Sequence, residues 1–316
     1  MGKILVTASH WNTLCTKADK LLKDHGHEVI VHDAYMSFED IAKVAGEING
    51  AIIGLDNWTD EVFEIAPKLK VAAKFGVGTD NIDKDSATRH GVKVLNAPGI
   101  NAGAVAELTV CFMVDLFRRV TEQSKNLSLG TWVRYLNNQL EGKTVGLLGF
   151  GAISREVTKR LQGFGVKILA SDLYPNRDFA EKYNVKIVDN ETILRESDII
   201  SIHIPSIPET YHMINDEAFA KMKQGAFLIN CARGPLVDTA ALERALDSGR
   251  ISGAALDVYE EEPLPMDSPI LSRDNVICTP HTAAETREVY ENVSLCVAEG
   301  VVDVLEGRTP RFQVNR

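Results

Sequence analysis

The chain has 316 residues, of which 45% are hydrophobic and 25% are charged. Such a length allows ample buried core and favours two domains over one. Its 34 basic and 44 acidic side chains give a net charge of −10, and the sequence holds no block of lysine or arginine that could follow a phosphate backbone. Nucleic-acid binding is therefore excluded as an expected function.

The N-terminal sequence lacks the pattern of a signal peptide. The most apolar helical stretch, 102–117, contains Glu107 and Asp115 and does not predict a membrane span. We therefore expect a cytoplasmic protein without a membrane partner.

Scattered cysteines and histidines predict neither a disulfide framework nor a metal site. His25 and His27 offer two ligands, as do Cys278 and His281, whereas a structural zinc ion needs four. The odd number and wide spacing of the cysteines argue against paired disulfides. They are Cys15, Cys111, Cys231, Cys278 and Cys296.

Short apolar runs alternate with helix-like segments along almost the whole chain. This alternation predicts parallel sheets covered by helices, because parallel neighbours need a crossover between them. The predicted strands are 4–7, 29–32, 51–54, 71–75, 92–95, 144–148, 167–171, 199–202, 226–229 and 253–256.

A domain boundary is predicted near residue 98, where the sequence NAPG interrupts the alternation. A long helix is expected to follow, with Asn101 as its N-cap and a candidate role as link between two lobes. Its apolar face is formed by Val105, Leu108, Phe112 and Leu116. A second amphipathic segment, 284–305, closes the chain and is a candidate to return to the first lobe.

The sequence TVGLLGFGAIS over 144–154 indicates a strand, a glycine turn and the start of a helix. Gly149 would permit the tight turn, and Gly151 would let the backbone approach a pyrophosphate at the helix N-terminus. The third expected glycine is replaced by Ser154, and we expect this change to act on helix packing. Glycine turns also occur in α/β proteins without a cofactor, so the motif alone leaves that alternative open.

Asp172 directly follows the next predicted strand. Its carboxylate is placed to accept hydrogen bonds from ribose hydroxyls and to repel a 2′-phosphate, and Leu173 rather than an arginine follows it. NAD is therefore preferred over NADP. A turn or helix cap is the alternative role for such an aspartate.

Three polar residues stand out in the last third of the chain: Arg233, Glu262 and His281. Each has an ordinary explanation by itself, as a surface ion pair, a solvated acidic turn and a loop histidine. Their occurrence together, after a nucleotide-binding turn, points to a catalytic set.

The chain resembles the D-isomer-specific 2-hydroxyacid dehydrogenases, and among them the short phosphoglycerate dehydrogenase-like members. The segments that carry this resemblance cover nearly the whole chain: FGVGTDNID, NAPGINAGAVAEL, GLLGFGAIS, NCARGPLVDTAALERALDSGRISGAALDVYEEEPLP and TPHTAA. The resemblance implies an α/β fold of two doubly wound parallel-sheet domains. A Rossmann nucleotide domain, 99–285, would be inserted in a flavodoxin-like substrate domain formed by 1–98 and 286–316.

The resemblance also implies NAD as cofactor, a small 2-hydroxy or 2-oxo acid as substrate, and a homodimer formed through the nucleotide domain. The segment 121–139, which contains Trp132, is a candidate part of that interface. A tryptophan buried inside the domain is the alternative.

In the family that the chain resembles, an arginine, a glutamate and a histidine form the active site. They correspond to Arg233, which would grip the carboxylate and carbonyl oxygen, to His281, which would supply the proton, and to Glu262, which would orient the imidazole and favour its protonated form.

Further contacts are implied by the same resemblance. Val77 and Gly78 would present backbone amides to the substrate carboxylate, and Asp257 would accept a hydrogen bond from the carboxamide of the cofactor. The implied cofactor-binding residues are Val77, Gly149, Gly151, Ala152, Ile153, Asp172, Ile204, Cys231, Ala232, Asp257, His281 and Ala283.

The sequence departs from the family pattern at two further places. Ala152 stands where family members often carry an arginine, which removes a cation near the pyrophosphate. Leu55 and Asp56 follow the strand 51–53, where phosphoglycerate dehydrogenases often carry an arginine. An aspartate beside a phosphate would be repulsive, so 3-phosphoglycerate is a doubtful substrate.

We therefore expect an NAD-dependent oxidoreductase that interconverts a D-2-hydroxy acid and its 2-oxo acid. The alternative is an NADH-sensing scaffold, or a corepressor-like binding protein, on the same fold.

Overall fold

The structure, a computed structural model, describes residues 2–32 and 35–315 and divides into two compact units. The first unit consists of Met1–Asn101 together with Glu285–Arg316, and the second of Ala102–Ala284. Each contains one sheet in which the neighbouring strands are parallel. The predicted fold class, α/β with two parallel sheets, is confirmed.

The first unit alternates strands with short helices. Its strands are β1 Lys3–Val6, β2 Glu28–Val31, β3 Gly50–Ile53, β4 Val71–Lys74 and β5 Lys93–Leu95. Its helices are α1 Trp11–Leu14, α2 Thr16–Asp24, α3 Phe38–Ala45, α4 Asp60–Glu64, α5 Lys84–Arg89 and, from the end of the chain, α13 Arg287–Leu305.

The sheet of the first unit has the strand order β2-β1-β3-β4-β5, which is the flavodoxin-like doubly wound order. β3 is buried along its whole length, as expected for a strand covered on both faces. α13 packs against α2 and against β3, β4 and β5. α13, which occupies most of the segment 284–305, therefore belongs to the first unit.

The second unit begins with two helices and continues as a regular alternation. Its strands are β6 Thr144–Leu148, β7 Lys167–Ser171, β8 Val185–Ile187, β9 Ile199–Ile202, β10 Ala226–Asn230, β11 Ile251–Leu256 and β12 Val276–Cys278. Its helices are α6 Ala102–Arg118, α7 Val120–Ser128, α8 Ala152–Leu161, α9 Arg177–Lys182, α10 Asn190–Glu196, α11 Asp216–Lys221 and α12 Thr239–Asp247.

The strand order of the second sheet is β12-β11-β10-β9-β6-β7-β8. Counted from β6, this is the Rossmann order with one additional strand, and the direction of winding reverses between β6 and β9. Ligands of such sheets bind outside the carboxyl ends of the strands at that reversal. The glycine turn after β6 lies at this place.

α6 forms one wall of the core of the second unit. Three of its four predicted apolar residues, Val105, Phe112 and Leu116, are buried, and Leu108 packs against them. The predicted helix face is therefore confirmed.

β8 and β12 were not predicted from the sequence. Each is three residues long and lies at an edge of the sheet. So short a run shows too few side chains to establish an alternation of buried and exposed positions.

Candidate active site

The chain leaves β6 through a turn that requires glycine. Gly149 has a φ of +92°, and a Cβ placed on it would lie 2.5 Å from the backbone oxygen of His203. Residues other than glycine rarely adopt this backbone conformation, and a contact of 2.5 Å between Cβ and a backbone oxygen is too short for any of them. Gly149 therefore lets the chain pass directly from β6 into α8, beside the carboxyl end of β9.

Gly151, the N-cap of α8, serves a different purpose. Its φ of −75° is open to any residue, and nothing among the described residues other than its chain neighbours lies within 4 Å of where a Cβ would be. The fold itself therefore does not require glycine here. Open space in front of the first amides of a helix fits the pyrophosphate of a dinucleotide, and Ala152 and Ile153 form this first turn.

Ser154 fits the place of the third glycine. Its side chain is fully buried, and its Oγ donates a hydrogen bond of 2.6 Å to the backbone oxygen of Gly149. The serine therefore stabilises the glycine turn through an internal hydrogen bond and leaves the space before Gly151 open.

Asp172 lies beside the same turn, at the end of β7. Its carboxylate accepts one hydrogen bond from the backbone amide of Phe150 at 2.7 Å and one from that of Tyr174 at 2.8 Å. Asp172 is exposed, and a carboxylate has about four acceptor positions, so two remain for ribose hydroxyls. This geometry fits the predicted contact with NAD. It also shows that Asp172 stabilises the turn, which was the alternative role for this residue.

Arg233 follows the carboxyl end of β10. The next residue, Gly234, is buried, and a Cβ on it would lie 1.9 Å from the backbone of Tyr259. The turn after β10 therefore packs backbone to backbone against the segment that leads from β11 to Glu262.

Glu262 and His281 form a direct pair. Nδ1 of His281 lies 2.7 Å from Oε2 of Glu262, and the other carboxylate oxygen accepts a hydrogen bond of 2.9 Å from the backbone amide of Tyr259. His281 has a φ of +53°, a left-handed conformation that is uncommon for residues other than glycine. The loop thus holds the imidazole against the carboxylate in one defined orientation.

The pair shifts the pKa of both partners. The hydrogen bond to Glu262 raises the pKa of His281, against the opposing effect of burial, and the negative charge of Asp257 adds to the rise. Burial raises the pKa of Glu262, but the hydrogen bonds from His281 and Tyr259 outweigh it and leave that pKa lowered. The charge of Arg233 acts on both groups, so the structure brings the three predicted catalytic side chains within electrostatic reach of one another.

Asp257 organises the loop that carries His281. It is fully buried, and its carboxylate accepts hydrogen bonds from Oγ1 of Thr279 at 2.5 Å and from the backbone amides of Thr282 and Ala283 at 2.8 and 2.9 Å. Both oxygens are therefore engaged within the protein, and the predicted hydrogen bond to the carboxamide of the cofactor stays a prediction.

Tyr259 supports the same loop and was not singled out from the sequence. Its hydroxyl donates toward the backbone oxygens of Leu256 and Thr279, at 3.1 and 2.9 Å, and its own amide holds Glu262. The only local signal is its position between Asp257 and Glu262 in the motif DVYEEEP.

Three further residues predicted to contact the cofactor lie at the same edge of the second sheet. Ile204 follows β9, and Cys231 and Ala232 follow β10. Burial raises the pKa of the Cys231 thiol to about 12, so this residue is an uncharged packing group. Burial lowers the pKa of His203 to about 4, so this histidine is neutral near pH 7 and is not suited to deliver a proton there.

Val77 and Gly78 belong to the first unit, where they follow β4. Their roles stay predictions.

The loop after β3 places Leu55 and Asp56 in different surroundings. Asp56 is fully buried and accepts a hydrogen bond of 2.5 Å from the backbone amide of Met36, whereas Leu55 is 76% exposed. The carboxylate of Asp56 therefore faces the interior of the first unit, and its predicted repulsion of a substrate phosphate stays a prediction. Nζ of Lys74 lies 2.5 Å from the backbone oxygen of Gly54, so a cation does stand beside this loop.

Within residues 2–32 and 35–315, no group of three or more histidine, cysteine, aspartate or glutamate side chains could hold a metal ion. Among the helices of this described part, none is long and apolar enough to cross a bilayer.

Comparison with known proteins identifies the family. Residues 110–283 match the model of the D-isomer specific 2-hydroxyacid dehydrogenase NAD binding domain. A glyoxylate reductase of Thermofilum pendens is 41% identical over 300 residues, which cover 92% of this chain and 88% of the relative. The TT0316 protein of Thermus thermophilus has a solved structure with a TM-score of 0.91 and 35% identity, and the match covers 99% of each chain.

A D-3-phosphoglycerate dehydrogenase of Archaeoglobus fulgidus is 38% identical over 297 residues, or 93% of this chain. The chain spans only 56% of the length of that relative. These matches confirm the predicted family and NAD as its cofactor. The chain belongs to the D-isomer specific 2-hydroxyacid dehydrogenase family.

Proposed function

We propose that this protein is an NAD-dependent oxidoreductase that interconverts a D-2-hydroxy acid and its 2-oxo acid. The observation that carries the proposal is the pair of His281 and Glu262, whose Nδ1 and Oε2 atoms lie 2.7 Å apart. The pair is within electrostatic reach of Arg233 and belongs to the unit that also contains the glycine turn. The pair provides an acid for the developing alkoxide, and the guanidinium provides a partner for the substrate carboxylate.

The residues around the glycine turn would hold NAD. Gly151, Ala152 and Ile153 would face the pyrophosphate, and Asp172 would accept hydrogen bonds from the ribose. When bound, NADH supplies the hydride for the carbonyl carbon.

The side chains of the protein manage the proton and the carboxylate. Protonated His281 gives its proton to the carbonyl oxygen, and Glu262 keeps the imidazole oriented and stabilises its charged form. Arg233 presents paired donors to the substrate carboxylate, a geometry that lysine does not reproduce. In the oxidative direction, neutral His281 takes the proton back.

The pH dependence of the reaction is expected to report the pair directly. Since the imidazolium is the acid, kcat/KM for reduction should fall as the pH rises through the raised pKa of His281. Glu262→Gln removes the carboxylate that raises this pKa, so the falling limb should move to lower pH. Steady-state profiles of the two proteins test this shift.

Glu261→Gln is the matched control for that experiment, because Glu261 is an exposed neighbour outside the pair. Its profile should coincide with that of the wild type. A falling limb at the same pH in Glu262→Gln as in the wild type would contradict the assignment of His281 as the acid.

A panel of 2-oxo acids tests the proposed function and shows which acid is the preferred substrate. NADH oxidation would be followed with glyoxylate, pyruvate, hydroxypyruvate, 3-phosphohydroxypyruvate and bulkier 2-oxo acids. The ratio of the rates with unphosphorylated and phosphorylated 2-oxo acids separates these two classes of substrate. No turnover with any acid would reject the proposal. The comparisons give no support to the alternative of an NADH-sensing scaffold.

We further propose a homodimer formed through the segment 121–139 of the second unit. α7 has no buried residue, and Trp132 and Leu136 are 81% and 99% exposed. In the single chain Trp132 is therefore at the surface and not buried inside the domain. Other apolar side chains exposed in this segment are Leu127, Leu129 and Val133, and exposed Val120 directly precedes it. So many neighbouring apolar groups in water favour association with another surface.

Leu136→Asp is expected to shift the protein from dimer to monomer, because it puts a charge in the apolar interface. Light scattering coupled to gel filtration measures the mass directly. Met266→Asp is the matched control, since Met266 is 80% exposed outside this segment. A wild-type protein that is monomeric at micromolar concentration would contradict the proposed dimer.

All five cysteines are free thiols, which is usual for proteins of reducing compartments. This supports a proposed location in the cytoplasm.

A further inference from the structure

Asn230 is the last residue of β10 and lies three positions before Arg233. It is 1% exposed, and both ends of its side-chain amide are used. Oδ1 accepts a hydrogen bond from the backbone amide of Ala232 at 3.0 Å, and Nδ2 donates to the backbone oxygen of Arg233 at 2.8 Å. One buried side chain therefore spans the turn that leads to Arg233.

The surroundings of Asn230 are fixed from two other directions. Its backbone oxygen accepts a hydrogen bond of 3.0 Å from the amide of Asp257, which joins the ends of β10 and β11. Gly234, on the far side of the turn, is packed against the backbone of Tyr259. β11 and the segment that follows it thus contact the turn at both of its ends. The side chain of Asn230 stabilises the residues between those ends through its two hydrogen bonds.

The chemistry of the site calls for asparagine in particular. The side chain must accept from one amide and donate to one carbonyl, and the amide group of asparagine does so with two separate atoms. An aspartate would aim a carboxylate oxygen at the oxygen of Arg233. A serine has a shorter side chain with one oxygen in place of the two polar atoms, and an alanine would leave both backbone groups without these partners.

We propose that Asn230 is a positioning residue for Arg233, fixing the backbone from which the guanidinium reaches the substrate carboxylate. Arg233 itself donates from Nη1 to the oxygen of Ala232 at 2.7 Å, so Ala232 is held by Asn230 on its amide and by Arg233 on its carbonyl. The inference rests on the proposed function, since it assigns Arg233 to the substrate.

The expected result is a selective loss of carboxylate binding. Asn230→Ala should raise the KM for the 2-oxo acid, and the Kd of oxamate for the enzyme–NADH complex, by about tenfold, in keeping with the loss of buried hydrogen bonds. The Kd of NADH, measured by fluorescence, should change less than about twofold. Asn230→Ser, which keeps one polar atom near the turn, should lie between Asn230→Ala and the wild type and carries the test if the alanine variant does not fold.

A double-mutant cycle separates positioning from general stability. In a background of Arg233→Lys, Asn230→Ala should have almost no further effect on kcat/KM, because the group that it positions is already altered. Asn315→Ala is the matched control, since Asn315 is another buried asparagine that bonds backbone groups, in the first unit. It should lower the thermal midpoint without changing the oxamate Kd.

Two results would overturn the inference: an equal loss from Asn230→Ala in both backgrounds, or a rise in the NADH Kd equal to that for oxamate. Failure of the proposed function would be recognised separately. In that case neither the wild type nor Asn315→Ala would oxidise NADH when any of the 2-oxo acids is added.

Discussion

His281→Asn is expected to lower the turnover of 2-oxo acid reduction by about 10²- to 10⁴-fold, the usual contribution of a positioned acid. Asparagine is the preferred replacement because it tolerates the left-handed backbone at this position, where φ is +53°. The fold should remain intact. Stopped-flow and steady-state measurements with saturating NADH give the loss in turnover.

The binding of NADH provides the control for this variant. The amides of α8 and the carboxylate of Asp172 are untouched, so the NADH Kd should stay within a few fold of that of the wild type. Turnover within about tenfold of the wild type would show that another group delivers the proton.

Gly151→Val is expected to weaken NADH binding by at least about 100-fold while leaving the fold unchanged. The backbone at Gly151 accepts any residue, and the space beside it is open in the protein. A valine side chain would fill the space that the pyrophosphate needs. Calorimetry of NADH binding, together with thermal unfolding, measures both quantities.

Two other positions of the same turn serve as controls. Gly149→Ala should destabilise the fold itself, because the added Cβ would lie 2.5 Å from the oxygen of His203. Ser154→Gly should change NADH affinity only modestly, since the lost hydrogen bond is internal to the turn. Gly151→Val with unaltered NADH affinity would contradict the placement of the cofactor before α8.

The alternation of elements was predictable because the strands of both sheets are apolar runs separated by helices. Thr144–Leu148, for example, was assigned with the bounds that the structure gives. The edge strands β8 and β12 were missed, since three residues carry no measurable period. The long helix was located from the spacing of Val105, Phe112 and Leu116.

The sequence was less informative about side chains whose roles depend on distant partners. Asp56 looked like a surface charge, but its carboxylate is buried against Met36, 20 residues earlier. Tyr259 joins two loops through the oxygens of Leu256 and Thr279, and no local pattern indicates this. Asp257 was recognised as part of the site, yet its hydrogen bonds to the loop 279–283 could be found only in three dimensions.

The configuration of the product tests the central claim most directly. The protein would be incubated with NADH and pyruvate or hydroxypyruvate, with 3-phosphohydroxypyruvate in parallel, and the hydroxy acid formed would be separated by chiral chromatography. We expect the D-isomer in amounts equal to the NADH consumed, and a loss of about 10²- to 10⁴-fold in its rate of formation with His281→Asn. Formation of the L-isomer, or no NADH consumption with any 2-oxo acid, would contradict the proposed function.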